Sequence, residues 1–253
     1  MRSGMRPLFA HWREVAPRLA APRVIALFLD FDGTLAPIRP RPEMAHVHPA
    51  SRRALAELAR SARFRVWVIS ARRRAEIRAR IRVPAVRYLG LYGWERTAAV
   101  APPSSAITQV KGLLTKTLPH HHSIWLEDKE HTVAVHYRGA PEDVAEAAGH
   151  CVRRALRQYR PELRVAPGKC VWEIVPHAIA DKGTAVRREL AGLPTNALPV
   201  YVGDDLSDEP AFSAVHHGVP IRVGARRTTR ARYRLEGAAD VGRFLERLKS
   251  EFL

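Results

Sequence analysis

Val24-Ile-Ala-Leu-Phe-Leu-Asp-Phe-Asp-Gly-Thr-Leu35 decides how the rest of the chain is read. Its first six residues form a continuous apolar run, the pattern of a strand buried on both faces of a parallel sheet. The run stops at Asp30. In an extended backbone residues i and i+2 point the same way, so the carboxylates of Asp30 and Asp32 leave the strand end together. Gly33 permits a tight turn directly behind them. Two adjacent carboxylates repel, and a cation between them or a shared proton relieves that repulsion.

Two further runs have the same form. Phe64-Arg-Val-Trp-Val-Ile69 ends at Ser70, and Leu198-Pro-Val-Tyr-Val202 ends at Gly203-Asp204-Asp205, followed by Asp208. Helical spacing of apolar residues recurs at 51–62, 73–82, 184–190 and 241–252. Strands alternating with helices predict an α/β fold with a doubly wound, mostly parallel, Rossmann-like sheet. Sheets of this kind bind ligands at the carboxyl ends of their strands, so the three polar clusters can converge. So many acids on one rim suggest Mg2+, which takes oxygen ligands and keeps several waters.

The middle of the chain has a different pattern. After Ala101-Pro-Pro-Ser-Ser105 comes a helical stretch to about Leu118, then segments 123–129 and 132–138 that alternate polar and apolar. A second helix, 141–159, precedes another such pair, 163–166 and 169–175. Alternating strands have one wet face. This predicts a smaller α/β domain, 101–176, inserted into a core of 1–100 and 177–253. Its polar faces carry Glu127, Lys129, His136, Arg138, Lys169 and Glu173. Acceptors mixed with cationic donors suit a polyhydroxylated ligand.

Composition narrows the class. With 253 residues, 46% of them hydrophobic, the chain is neither disordered nor collagenous. Cys151 and Cys170 have no metal-ligand spacing, which excludes a disulfide framework and a zinc site. Lys+Arg 42 against Asp+Glu 25 gives +17, which favours anionic partners: a phosphorylated metabolite, nucleic acid or acidic lipid. Arg72-Arg-Arg74 and Arg226-Arg227 with Arg230, Arg232 and Arg234 are the candidate nucleic-acid patches. No nucleic-acid module or aromatic stacking array accompanies them, so a solvated Arg-rich surface is the weightier reading. The opening residues lack the apolar stretch of a signal peptide, and no run approaches a membrane span. The expectation is a cytoplasmic protein with no membrane partner, monomeric or weakly oligomeric.

Four motifs in order, Asp30-x-Asp32-Gly-Thr, Ser70, Lys182 and Gly203-Asp204-Asp205-x-x-Asp208, resemble the haloacid dehalogenase superfamily of aspartyl-phosphate phosphotransferases. The resemblance implies that Asp30 is the nucleophile and that Asp32 protonates the leaving oxygen, then activates water. It implies that Ser70 and Lys182 hold the phosphoryl group. Mg2+ would sit on Asp30, the Asp32 carbonyl and Asp204, with Asp205 and Asp208 in the same acidic set. The inserted domain would then be an α/β cap that chooses the substrate.

The likeness narrows to trehalose-6-phosphate phosphatases from about residue 24 onward. It is carried by Asp30-Phe-Asp-Gly-Thr-Leu-Ala-Pro-Ile38, Glu127-Asp-Lys129, His136-Tyr-Arg138, Gly168-Lys169, Glu173-Ile-Val-Pro176, Asp181-Lys-Gly183 and Gly203-Asp-Asp-Leu-Ser-Asp-Glu209. It implies that Glu127, Lys129, His136, Lys169 and Glu173 grip a disaccharide, with Arg72 and Arg138 as further substrate contacts. Two departures stand out. Ser70-Ala71-Arg72 replaces the family's usual Ser-Gly-Arg, and Tyr92 stands where His is usual in Gly90-Leu-Tyr-Gly-Trp-Glu95. A phosphatase of another sugar phosphate, such as sucrose phosphate or a glucosyl or mannosyl glycerate or glycerol phosphate, is the alternative within the same chemistry.

Overall fold

The computed structural model describes residues 5–39, 41–97, 102–166, 168, 170–225 and 228–253. The elements in chain order are β1 (Arg6–Pro7), α1 (Trp12–Ala20), β2 (Ile25–Leu29), α2 (Pro49–Arg60), β3 (Phe64–Ile69), α3 (Arg74–Ile81) and β4 (Arg87–Leu89). Then come α4 (Ser105–Thr117), β5 (Trp125–Asp128), β6 (Val133–His136), α5 (Glu142–Leu156), β7 (Leu163–Ala166) and β8 (Val171–Pro176). The chain closes with α6 (Lys182–Leu190), β9 (Leu198–Gly203), α7 (Glu209–Ala214), β10 (Val219–Val223), β11 (Tyr233–Leu235) and α8 (Ala238–Phe252). Two compact units result, Met1–Ala98 with Asp181–Leu253, and Ala99–Ala180.

The first unit is built on a seven-stranded sheet in the order β1-β11-β10-β9-β2-β3-β4. Every pairing in it is parallel. The alternation of side chains explains why β2 is apolar throughout. Ile25, Leu27 and Leu29 enter one core with Val66, Val68, Val200 and Val202, while Ala26 and Phe28 enter the other with Trp67 and Tyr201. Helices α1, α2, α3 and α8 cover the first face, and α6 and α7 the second. On that second face Phe28 stacks on Trp67 at 4.6 Å between ring centroids, an arrangement worth about 1 kcal/mol beyond its buried area.

The second unit has the antiparallel order β5-β6-β8-β7. Leu126, Val133, Val135, Trp172 and Ile174 share one face and pack with α4 and α5 through Ile107, Val110, Leu114, Ala148 and Val152. Strand β8 begins at Val171, later than the alternation suggests, because Cys170 has a left-handed backbone (φ 58°) that breaks the extended run.

Several elements escape the sequence reading. Helix α1 buries Trp12, Val15 and Leu19, and β1, β4, β10 and β11 widen the sheet. Among the described residues no helix is long and apolar enough to cross a membrane. A few of the arginines lie over aromatic rings. Arg63 lies over Phe252, Arg87 over Trp67, Arg243 over Phe9 and Arg247 over Trp12, each centroid within 5.6 Å. Such contacts contribute about 0.5–1 kcal/mol each at exposed positions. Of the candidate nucleic-acid patches, Arg226 and Arg227 lie outside the described residues. Arg73 is paired with Glu95, Arg234 with Glu236, and Arg232 donates to the His216 carbonyl.

Candidate active site

Register brings the polar strand ends together. Leu29 pairs with Val68 on one side and Val202 on the other, so Asp30, Ser70 and Gly203 leave the sheet at one edge. Asp30 is 5% exposed and its backbone N–H donates to the Val202 carbonyl at 2.9 Å. Burial drives its pKa well above the ordinary carboxylate value, Lys182 opposing and Asp208 and Asp204 adding to the rise.

Lys182 opens α6, with Asp181 as the N-cap accepting from the Thr184 backbone N–H at 2.8 Å. Its ammonium is buried between two carboxylates, 2.8 Å from Asp30 Oδ1 and 2.7 Å from Asp208 Oδ1. Burial alone would lower the lysine pKa. Asp208 and Asp30 outweigh it, and the net shift is upward. The ammonium therefore stays charged.

Asp208 is fully buried and accepts four hydrogen bonds. Lys182 and the Tyr201 hydroxyl, at 2.7 Å, reach Oδ1, and the backbone N–H groups of Asp204 and Asp205, at 2.9 and 2.8 Å, reach Oδ2. These fill the roughly four lone-pair sites of a carboxylate. Asp205 in turn caps the short 3-10 turn Leu206–Asp208.

Gly33 shapes the centre. It has φ 82°, and a Cβ there would lie 2.2 Å from Asp204 Oδ2. Only a residue without Cβ lets the β2 turn and the Asp204 carboxylate occupy this space. Carboxylate oxygens of Asp30, Asp204 and Asp208 lie within 4.8 Å of one another. Burial, then Asp208 and Asp205, push the Asp204 pKa up to about 7. Three carboxylates around one ammonium leave negative charge in excess, and this oxygen-only cluster could hold a hard divalent cation.

The other expected acid, Asp32, turns to Arg72. The guanidinium donates from Nε to Oδ2 at 2.7 Å and from Nη2 to Oδ1 at 2.8 Å. Arg72 also donates to Glu76 and, at 2.7 Å, to the Pro42 carbonyl, and it lies over the Phe31 ring. It is 4% exposed, with its donors committed inside the unit. Ser70 is buried at the end of β3, its hydroxyl accepting from the Arg72 backbone N–H at 3.2 Å.

In the second unit, register puts Trp125, Glu127, His136 and Glu173 on the sheet face opposite the core. His136 Nε2 bonds Glu127 Oε2 at 2.8 Å, and its ring stacks on Trp125 at 3.8 Å and 7°. Lys129 Nζ lies 3.1 Å from Glu173 Oε1 and 3.8 Å from Glu127 Oε2, and Thr132 donates to Glu173 at 3.1 Å. Arg138 is exposed beyond the end of β6, and Lys169 lies outside the described residues. Sequence reasoning gave no role to Tyr201, Thr132 or Arg222. For Tyr201 the available signal was a hydroxyl inside a run otherwise reading as core; Thr132 precedes β6 and Arg222 lies in a strand the sequence does not display, so neither gave one.

Parallel topology, an acidic rim at the carboxyl edge and an inserted α/β unit define a haloacid dehalogenase fold. A sequence model described as Trehalose-phosphatase matches residues 28–239, and the chain belongs to that family. A trehalose-phosphate phosphatase of Mycobacterium tuberculosis is 36% identical over 241 residues, covering 88% of this chain and 61% of its own length. The chain thus spans about three fifths of the length of the curated relatives it matches. Its fold is shared with the C-terminal domain of Candida albicans trehalose-6-phosphate phosphatase (TM-score 0.83, 20% identity, 99% of each chain covered). It is shared as well with the Aspergillus fumigatus trehalose-6-phosphate phosphatase (TM-score 0.67, 24% identity, 98% of this chain and 99% of that one).

Proposed function

We propose that the protein is a phosphoric monoester hydrolase that converts trehalose 6-phosphate to trehalose and phosphate through an aspartyl-phosphate. The observation that carries this reading is the buried Asp30–Lys182–Asp208 chain beside Asp204, in a member of the trehalose-phosphatase family. A carboxylate is a poor nucleophile towards a phosphate dianion unless charge on both is offset.

Lys182 supplies one fixed positive charge at Asp30 Oδ1, leaving Oδ2 to attack phosphorus. Bond formation there breaks the phosphorus–oxygen bond to the sugar, and Asp32 gives that oxygen its proton. Each Asp32 oxygen uses one lone pair on Arg72 and keeps a second for this proton. Asp32 then takes a proton from water, which cleaves the acyl phosphate and regenerates Asp30. The Ser70 hydroxyl, held at the same edge, donates to a phosphoryl oxygen.

Asp30 and Asp204 of the acidic cluster, with the Asp32 carbonyl that the family resemblance implies, would hold Mg2+, while Asp208, its acceptor sites already filled, would act as brace. When bound, the ion supplies charge neutralisation for phosphate and nucleophile. In the second unit, Glu127, Lys129, His136 and Glu173, with Arg138 and Lys169, offer sugar hydroxyls both acceptors and donors.

Steady-state phosphate release from a panel of sugar phosphates, with and without Mg2+, tests the reading. Trehalose 6-phosphate should have the highest kcat/KM. Equal or better turnover of sucrose phosphate or a glycosyl-glycerate phosphate would remove the substrate assignment, and turnover that survives Asp30→Asn would remove the mechanism.

A further inference from the structure

Strand β10 reads Val219-Pro-Ile-Arg-Val223, one arginine among apolar residues, and Arg222 is 6% exposed. A cation buried in a sheet needs acceptors. Register sets Arg222 beside Gly203 of β9, where the main chain leaves the sheet to form the acidic loop. The guanidinium spans that loop. Nη2 donates to the Asp204 carbonyl, and Nη1 donates to the Asp205 carbonyl at 3.4 Å and to Glu209 Oε1 at 3.3 Å. Glu209 opens α7, and its Oε2 accepts from the Arg230 backbone N–H at 2.8 Å.

One side chain thereby ties the end of β9, the loop and the start of α7. Its acceptors on the loop are main-chain carbonyls, so the Asp204 carboxylate itself stays turned towards Asp30 and Asp208. From the other side the loop is held by Asp208, which accepts from the backbone N–H groups of the same two residues. Carbonyls and amides of Asp204 and Asp205 are thus both fixed before any ligand arrives.

We propose that Arg222 is a positioning residue for the divalent-metal site, holding the Asp204–Asp205 main chain so that the Asp204 carboxylate is preorganised for the ion. This rests on the Mg2+ reading above. A purely electrostatic role has the opposite sign. A nearby cation repels Mg2+, so deleting it would tighten binding, whereas deleting a brace weakens it. Lysine keeps the charge but not the planar fork that reaches three acceptors.

The test is calorimetric titration of the purified, substrate-free full chain with MgCl2, comparing wild type, Arg222→Met and Arg222→Lys. Loss of the brace should weaken Mg2+ binding by about 10–100-fold in Arg222→Met, with part of the affinity recovered in Arg222→Lys. Binding that is unchanged or tighter in Arg222→Met overturns the proposal. If circular dichroism shows that Arg222→Met does not fold, Arg222→Lys decides alone: weaker binding supports positioning and wild-type affinity overturns it. Wild-type protein that binds no Mg2+ would instead overturn the metal reading itself.

Discussion

Arg72 grips both carboxylate oxygens of Asp32, at 2.7 and 2.8 Å, from a position that is itself buried. The carboxylate is 42% exposed while the guanidinium is 4% exposed, so the flexible partner is held by the rigid one. Bidentate pairing fixes direction as well as distance. Arg72→Lys should leave Asp32 tethered through one oxygen at most. Misplacing a catalytic group by about 1 Å costs on the order of 100-fold in rate, and that loss is expected in kcat with little change in KM. Steady-state kinetics on Arg72→Lys, beside a thermal melt showing that it folds, checks this.

The Lys182 ammonium is the only cation bonded to Asp30 and Asp208 among the described residues. Lys182→Met should destabilise the metal-free protein by about 3–5 kcal/mol, since it leaves two buried carboxylates without a compensating charge. Adding Asp30→Asn and Asp208→Asn to the same chain should restore much of that stability but no turnover. Urea unfolding of the single and triple variants measures the difference. A triple variant no more stable than Lys182→Met would show that charge is not the cause.

Gly33 and Asp204 compete for one volume. In Gly33→Ala the new Cβ meets Asp204 at 2.2 Å on a backbone with φ 82°, and the left-handed strain alone is about 1–3 kcal/mol. The carboxylate must move, so Mg2+ should stabilise the variant against heat much less than it stabilises wild type. Melting curves at increasing MgCl2 make the comparison.

Asp204 also sets a pH dependence. Its folded pKa, pushed up to about 7, exceeds the unfolded value of about 3.9. A raised pKa means that folding favours the protonated form. The associated stability is therefore complete below the unfolded pKa and is lost as pH rises towards and through 7. In chelator, the stability of Asp204→Asn relative to wild type should grow between pH 5 and pH 8. Saturating Mg2+ should flatten that difference, because the ion takes over the charge the proton had neutralised.

Much of the fold is legible in the sequence because β2, β3 and β9 are largely buried on both faces and read as apolar runs, unbroken in β2 and broken at one residue in β3 (Arg65) and in β9 (Pro199). Strand β10 is not legible in the same way, since Pro220 and Arg222 interrupt it. Strands β1, β4 and β11 are two or three residues long, too short to display a period. At the candidate site the residue types are legible and the pairings are not. Lys182 and Asp30 are 152 positions apart, and only the packing of the α6 N-terminus against the strand ends brings them to 2.8 Å. Arg72 reads as a substrate contact in a motif, yet its geometry ties it to Asp32, Glu76 and Pro42. Arg222 has no motif at all and is one of many arginines in the chain.

The order of the strands has a bearing on synthesis. Strand β2 lies between β3 and β9, and β9 follows the whole of unit Ala99–Ala180. Domains fold as units while the chain emerges from its N-terminus. The contiguous second unit can therefore complete on the ribosome while β2 still presents an open edge. Asp30 acquires Lys182 and Asp208 only after those residues have left the exit tunnel, so a nascent chain that has emerged as far as Leu198 holds a finished small sheet and only β2, β3 and β4 of the large one.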